Sequence, residues 1–384
     1  MTGESGTRKS TQGHDRTRTT SRRGYLKYLI GAAAAAIFAG VGYSAIKYTE
    51  TGTSASETTH LQETSRRSVI LSGSQTPSTV HTLLVESDDG RTALLNAIQN
   101  ARESISLTIY ALDDPEINAA LIAAHRRGVN VRVLYNYYSF AAEGVKDPNQ
   151  QMVDAFTLAD IQTKRANESF ADTHQKTFSI DGSTAIIMTF NLQPDYFKTT
   201  RDFGIITTDP AEIAEVQRVF EADWNYQEIV PTLPELVWSP VNSRQKILNL
   251  INSTSKTLDV YNEEVEDQEC IEALISAAKR QVAVRLISAE LMREGHDTNA
   301  PVREVLNNNG VRAIAGTFLY IHAKMILADY GTERQAAFLG SENFSSTSLD
   351  KNRELGILVS EQTILDQLHS VFQQDWVKQT STNA

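Results

Sequence analysis

Beyond residue 80 the apolar positions fall into an order that is used twice. Ile105-Ser106-Leu107-Thr108-Ile109-Tyr110 alternates with period two and predicts a strand, and Leu258-Asp259-Val260-Tyr261 predicts its counterpart. Residues 117–127 and 271–280 carry apolar side chains at helical spacing, and a valine-rich strand follows each. The repetition extends to identities. Leu94-Leu95-Asn96-Ala97-Ile98 matches Ile247-Leu248-Asn249-Leu250-Ile251. Arg127-Gly128-Val129-Asn130-Val131-Arg132-Val133-Leu134 matches Arg280-Gln281-Val282-Ala283-Val284-Arg285-Leu286-Ile287, and Val219-Phe220-Glu221-Ala222-Asp223-Trp224 matches Val371-Phe372-Gln373-Gln374-Asp375-Trp376. The chain therefore reads as a duplicated domain, residues 81–228 and 236–378, joined by a linker at 225–235 that holds Pro231 and Pro234. Strands alternating with helices predict α/β units around a mostly buried sheet, and roughly 145 residues suffice for each to hold its own core.

The first 80 residues have a different texture. Residues 1–28 are polar and basic with no apolar period and read as disordered. Residues 29–46 form an apolar, Ala/Gly-rich run that as a helix would span about 27 Å, just enough to cross a bilayer. Residues 47–80, rich in Thr, Ser and Glu, read as a polar spacer. Ser21-Arg22-Arg23-Gly24-Tyr25-Leu26-Lys27 ahead of the apolar run resembles a twin-arginine export signal. That resemblance implies the twin-arginine export machinery as a partner and an extracytoplasmic body, with the N-terminus in the cytosol. The nearest approach to a cleavage site is Gly42-Tyr43-Ser44, so a retained anchor is the expectation.

Composition narrows the class. The chain is 41% apolar and 22% charged, which excludes a disordered, collagenous or wholly membrane-embedded protein. A single cysteine, Cys270, excludes an intrachain disulfide and a cysteine-rich zinc site, and its helical setting makes it a packing residue. Residues 1–27 hold seven basic and two acidic residues, so the body is more acidic than the net −11 of the whole chain. An acidic body with scattered cations speaks against nucleic acid as the partner.

The candidate chemistry sits at matching places in the two repeats. His174-Gln175-Lys176 is followed by Asp181, and His322-Ala323-Lys324 by Asp329, giving His-x-Lys-x-x-x-x-Asp twice. On a strand, His and Lys two apart share a face, so imidazole and ammonium could converge on one anion. Thr189-Phe190-Asn191 and Ser341-Glu342-Asn343 repeat that spacing with a hydroxyl and an amide. Asp202 and Glu354 each lie 11 residues further on, placed to hold the far nitrogen of the histidine of their own repeat. Two such halves face to face would surround a phosphate. Phosphodiester cleavage needs a neutral nucleophile, an acid for the leaving oxygen and donors around the developing charge.

These motifs, with Gly340-Ser341-Glu342-Asn343, Thr200-Arg201-Asp202-Phe203-Gly204 and Asn352-Arg353-Glu354-Leu355-Gly356, resemble the phospholipase D superfamily over about residues 81–378. The resemblance implies two α/β sandwich repeats packed as a pseudo-twofold dimer within a catalytically self-sufficient monomer, sharing one active site with no cofactor and no metal. It implies that one histidine forms a phosphohistidine, His174 being the expected nucleophile, and that the other, His322, is the acid and base. Lys176, Lys324, Asn191 and Asn343 are expected to hold phosphoryl oxygens, with Thr189 and Ser341 beside them. Asp202 and Glu354 are expected to orient the histidines, and Asp181 and Asp329, which complete the motifs, to brace strands and loops. Two departures stand out: Met188-Thr189 replaces the usual Gly-Ser in the first repeat, and Asp202 is shorter than the usual glutamate.

An exported body beside a bilayer, with aromatics near the site loops (Tyr137, Tyr138, Phe140, Tyr196, Phe197, Phe318, Tyr320), makes phospholipid the expected substrate. Hydrolysis of its head-group phosphodiester is the leading expectation. Phosphatidyl transfer of the cardiolipin-synthase kind, and an exported endonuclease of the same superfamily, are the alternatives.

Overall fold

The computed structural model describes residues 80–137 and 147–381. The basic N-region, the apolar run 29–46, the spacer up to 79, Tyr138 and Phe140 lie outside the described residues. Among the described residues no helix is long and apolar enough to cross a membrane.

The first repeat contributes β1 (His81–Glu86), β2 (Ser104–Ile109), β3 (Asn130–Tyr135), β4 (Gln162–Arg165), β5 (Thr177–Ile180), β6 (Thr184–Met188) and β7 (Thr200–Thr207). The second contributes β8 (Leu236–Ser239), β9 (Thr257–Asn262), β10 (Ala283–Ala289), a hairpin of β11 (Met292–Arg293) and β12 (His296–Asp297), β13 (Arg312–Gly316), β14 (Tyr320–Ile321), β15 (Met325–Ala328), β16 (Ala336–Gly340) and β17 (Glu354–Val359). One sheet runs β1-β7-β6-β5-β2-β3-β4 and the other β13-β10-β9-β15-β16-β17-β8, the same order read from opposite ends. In each, three strands are parallel and joined by helical crossovers (β2, β3, β4; β9, β10, β13), and the rest are antiparallel. The duplicated α/β architecture expected from the sequence is the one observed.

The repeated motifs have structural work. Asp114 and Asp267 cap the helices Pro115–Arg126 and Gln268–Lys279, accepting backbone N–H groups of the first turn. Arg127 and Arg280 each reach back to backbone carbonyls at the end of the preceding helix (Ile98, Gln99 and Ala101; Ile251, Asn252 and Thr254), satisfying acceptors that a helix C-terminus leaves open. Asp181 and Asp329, both at positive φ, turn the chain between strands and accept the backbone N–H groups of 102–104 and 255–257.

Each sheet carries one apolar core against its outer helices, around Leu94, Leu107 and Phe156 in the first repeat and Ile247, Val260 and Leu306 in the second. A third core lies between the sheets. It unites Phe203, Ile205 and Val219 of the first repeat with Trp238, Tyr261, Phe372 and Trp376 of the second. The long helices Pro210–Trp224 and Gln362–Ser381 feed this shared layer. Two repeats joined by so large a common core behave as one body, and the site forms where their sheet edges meet.

Candidate active site

The meeting of the repeats is built from backbone first. β14, from the second repeat, adds in parallel beside β7 of the first, and reciprocally a parallel bridge joins Thr173 of the first repeat to Arg353 of the second. The carbonyl of Arg201 accepts the N–H of His322 and of Ala323, and the carbonyl of Arg353 accepts that of His174 and Gln175. The His-x-Lys segments are therefore extended leads into β5 and β15, not interior strand positions as their spacing predicts. Each is stitched to the opposite repeat.

That stitching crosses the carboxylates. Glu354 accepts from Nδ1 of His174 at 2.8 Å, and Asp202 accepts from Nδ1 of His322 at 2.9 Å. The sequence reading paired each carboxylate with the histidine of its own repeat. The structure exchanges them, because Asp202 and Glu354 follow directly after the arginines whose carbonyls hold the opposite histidine strand. Asp202 therefore needs no extra length to reach. Both carboxylates are fully buried and otherwise satisfied: Thr189 and Thr200 hydroxyls donate to Asp202 at 2.6 and 2.7 Å, and Ser348 and Asn352 donate to Glu354 at 2.6 and 2.9 Å. With Nδ1 committed as donor, each imidazole presents Nε2 to the space between the repeats.

Thr189 faces Asp202, and both Thr189 and Ser341 bind the neighbouring strand. Their hydroxyls accept the backbone N–H of Phe203 and Leu355 at 2.9 and 3.3 Å. Asn191 and Asn343 are buried; the Asn343 carbonyl oxygen accepts the Glu264 N–H at 3.3 Å, and among the described residues the Asn191 carbonyl oxygen has no partner. Asp181 and Asp329 lie on the backbone turns described above, at the far ends of β5 and β15 from the histidines.

The two ammonium groups differ. Both are wholly buried, and each donates to the carbonyl of its own motif histidine. Lys324 also pairs with Glu263 at 2.9 Å, whereas Lys176 forms no ion pair among the described residues and lies 5.0 Å from the Tyr110 ring. Burial and the neighbouring Lys324 bring Lys176 down to about 7. His174 is lowered to about 4, chiefly by burial and then by Lys176, so it is neutral at physiological pH. A neutral imidazole with its proton fixed on Nδ1 has its lone pair free at Nε2, as a nucleophile requires.

Four residues escaped the sequence reading. Tyr110 packs edge-on to His174 at 4.7 Å between centroids, as Tyr196 does to His322 at 4.8 Å. Glu263 occupies the position in β9's continuation that Tyr110 occupies after β2 and enters the site directly. Asp223 and Asp375 act from behind: Arg201 pairs with Asp375, and Arg353 with Asp223, each ion pair crossing between repeats and buried. The duplicated Asp-Trp dipeptides were the signal for the last pair, and the strand alignment of Tyr110 with Glu263 was the signal for the first. Of the aromatics expected at the site, Tyr196 and Tyr320 are there. Phe197 belongs to the core of the first repeat, and Phe318 is 64% exposed.

The Met188 departure is accommodated. A side chain at Gly340 would come within 2.5 Å of the Gly356 Cα and 2.3 Å of the Glu342 carboxyl, so that pair must be glycines. In the first repeat Ile186 stands where Phe338 stands in the second, and the Met188 side chain lies over Gly204 in the room this leaves.

Comparison with known proteins agrees with this geometry. The family described as "Cardiolipin synthase, PLD-like domain" matches residues 94–224 and again 247–376. A cardiolipin synthase of Listeria monocytogenes is 22% identical over 343 residues, covering 77% of this chain and 68% of its own length. A mitochondrial cardiolipin hydrolase of Xenopus laevis is 26% identical over 141 residues, 37% of this chain and 64% of that protein. Among solved structures, polyphosphate kinase from Porphyromonas gingivalis superposes with a TM-score of 0.59 at 18% identity, over 79% of this chain and 52% of the kinase. Phosphatidylserine synthase from Haemophilus influenzae gives 0.58 at 12% identity, over 78% and 86%. At these identities the structural likenesses speak for the fold alone. The family match covers both repeats and most of the chain, and the protein belongs to the phospholipase D-like family of the cardiolipin synthase type.

Proposed function

We propose that the protein is a phosphatidyltransferase, moving a phosphatidyl group between alcohols through a phosphohistidine on His174. The observation that carries this reading is the crossed pair of carboxylate-held imidazoles, which presents two Nε2 atoms to one space. Nε2 of His174 attacks phosphorus, and the bond from phosphorus to the leaving alcohol oxygen breaks as His322 gives that oxygen a proton. An acceptor alcohol then attacks phosphorus, its proton passing to Nε2 of His322, and the N–P bond breaks. Lys176 and Asn191 of the first repeat take the phosphoryl oxygens, and Lys324 and Asn343 line the opposite side of the same space. Burial supports an alcohol over water as acceptor: His322 is 3% exposed and both lysines are wholly covered. The cardiolipin synthase relatives support it too, matching most of the chain. Hydrolysis, with water as acceptor, is the second reading, favoured by the similarity to cardiolipin hydrolases.

Labelled phosphatidylglycerol vesicles, with and without ethanol, distinguish the two. Transfer yields cardiolipin plus glycerol, and phosphatidylethanol when ethanol is present. Phosphatidic acid as the sole product, whatever the alcohol, replaces transfer by hydrolysis, and nicked plasmid DNA without any lipid product replaces both. We also propose export through the Arg22-Arg23 signal, with the body outside the membrane. Changing both arginines to lysine is expected to leave the protein in the cytosol, and unchanged location refutes it.

A further inference from the structure

Glu263 is an anion set among the groups expected to bind an anion. Its Oε2 lies 2.9 Å from Nζ of Lys324, 3.5 Å from Nδ2 of Asn343 and 3.6 Å from Nε2 of His322. Its Oε1 accepts the Tyr320 hydroxyl at 2.7 Å. These partners are the lysine, the amide and the reactive imidazole nitrogen of the second repeat, so one carboxylate oxygen engages the whole phosphate-binding set of that half. Burial alone would raise its pKa, but Lys324, His322 and the Tyr320 hydrogen bond outweigh it and hold the group well below the usual carboxylate range. The first repeat has Tyr110 at the equivalent position, and there Lys176 meets an aromatic ring instead of a carboxylate. Among the described residues, the lysine of one half thus has no carboxylate on it and that of the other already has one.

We propose that Glu263 stands in for a phosphoryl oxygen, and that it selects phosphodiesters over inorganic phosphate and phosphomonoesters. The proposal rests on the phosphoryl chemistry assigned above and adds the basis of its selectivity. A diester carries one negative charge on two free oxygens, which the open half (Lys176 and Asn191) can take while its ester oxygen faces His322. A monoester or free phosphate brings a further charged oxygen to the second half. There Lys324 and Asn343 are already engaged, and the new charge meets a fixed carboxylate in a buried setting where like charges repel strongly. Such a filter also keeps the phosphomonoester product of hydrolysis from occupying the site.

The test is binding of inorganic phosphate to the full-length protein, read by titration calorimetry without any turnover. Glu263→Gln keeps the shape and removes the charge. It is expected to bind phosphate at least ~10-fold more tightly than wild type, and Asn343→Ala in that background is expected to reduce the gain. Glu263→Tyr, which installs the residue of the equivalent position in the first repeat and also removes the charge, is expected to tighten binding likewise, and it decides the matter if Glu263→Gln does not fold. Phosphate bound no more tightly by either variant than by wild type overturns the proposal. Because no lipid is involved, that result leaves the transferase reading to its own assay, and absence of lipid products leaves this one intact.

Discussion

Replacing the two histidine-holding carboxylates by their amides separates the halves of the site. In Glu354→Gln, the side chain meets Ser348 and Asn352 on one side and Nδ1 of His174 on the other. Asn352 must present its NH2, because its own carbonyl accepts the Asp172 N–H at 3.1 Å. The glutamine oxygen is therefore drawn to that side, and its NH2 faces Nδ1. An amide N–H at 2.8 Å leaves no room for a ring proton there, even with the Ser341 carbonyl 3.2 Å away, so the proton moves to Nε2. His174 then has no lone pair for phosphorus. A wrong tautomer of this kind costs a catalytic histidine on the order of 10⁴ in rate, about 5 kcal/mol of barrier. In Asp202→Asn the outcome differs. The new NH2 can face Thr200, whose hydroxyl has the Tyr196 carbonyl at 2.8 Å as an alternative acceptor, and the remaining oxygen keeps Thr189 and His322. The tautomer of His322 survives and only charge is lost, a cost of roughly 10- to 100-fold. Rapid-quench measurement of phosphoenzyme with a p-nitrophenyl phosphodiester reads this directly, since departure of that group needs little acid help. Glu354→Gln is expected to form no measurable adduct, while Asp202→Asn forms it and releases it slowly. Equal adduct formation in the two variants, or loss in Asp202→Asn alone, refutes the crossed assignment.

The pH dependence of kcat/KM follows from the free enzyme: activity is expected to rise through about 4 as His174 loses its proton and to fall above about 7 as Lys176 loses its charge, and Lys176→Arg should remove the upper limb while the lower one stays. Asp375→Asn leaves the Arg201 guanidinium buried without its bidentate partner and is expected to cost about 3–5 kcal/mol in denaturant unfolding; a loss below ~1 kcal/mol would show the pair to be dispensable. Burial and the adjacent Asp202 push Glu86 up to about 8, whereas the unfolded chain ionises near 4.5. Its contribution is therefore full below 4.5 and lost as pH rises toward 8, by up to ~1.4 kcal/mol per pH unit. Glu86→Gln should flatten that slope, and an unchanged slope counts against a buried neutral Glu86. Turnover is expected to persist in chelator, because ammonium groups supply the positive charge; full loss that a divalent ion restores would refute this.

Much of the fold was legible because duplication doubles every local signal. An alternating strand or an Arg-Gly-Val-x-Val run that occurs twice at one offset is read with twice the information, and β2 and β9 differ from the expected segments only at their ends. The candidate site residues stood out for the same reason. The crossing was not, since a motif states which residue types are needed and is silent on which repeat supplies the partner. Placing Glu354 on His174 requires knowing that the Arg353 carbonyl receives the His174 strand, a backbone contact with no sequence mark. Glu263 was missed because carboxylates at strand ends are common, and only its convergence with Lys324, Asn343 and His322 sets it apart.

The crossed buttressing also constrains ancestry. A single repeat cannot assemble even half of this machinery, because its histidine is oriented by a residue it does not own. Any one-repeat forebear had to work as a pair of identical chains, where every substitution struck both histidines at once. Joining the copies end to end lifted that restriction. Tyr110 and Glu263 could then differ, as could Met188 with Ile186 and Gly340 with Phe338, without the same change falling on both halves. Each present-day asymmetry is a change that the paired ancestor could not have made on one side alone.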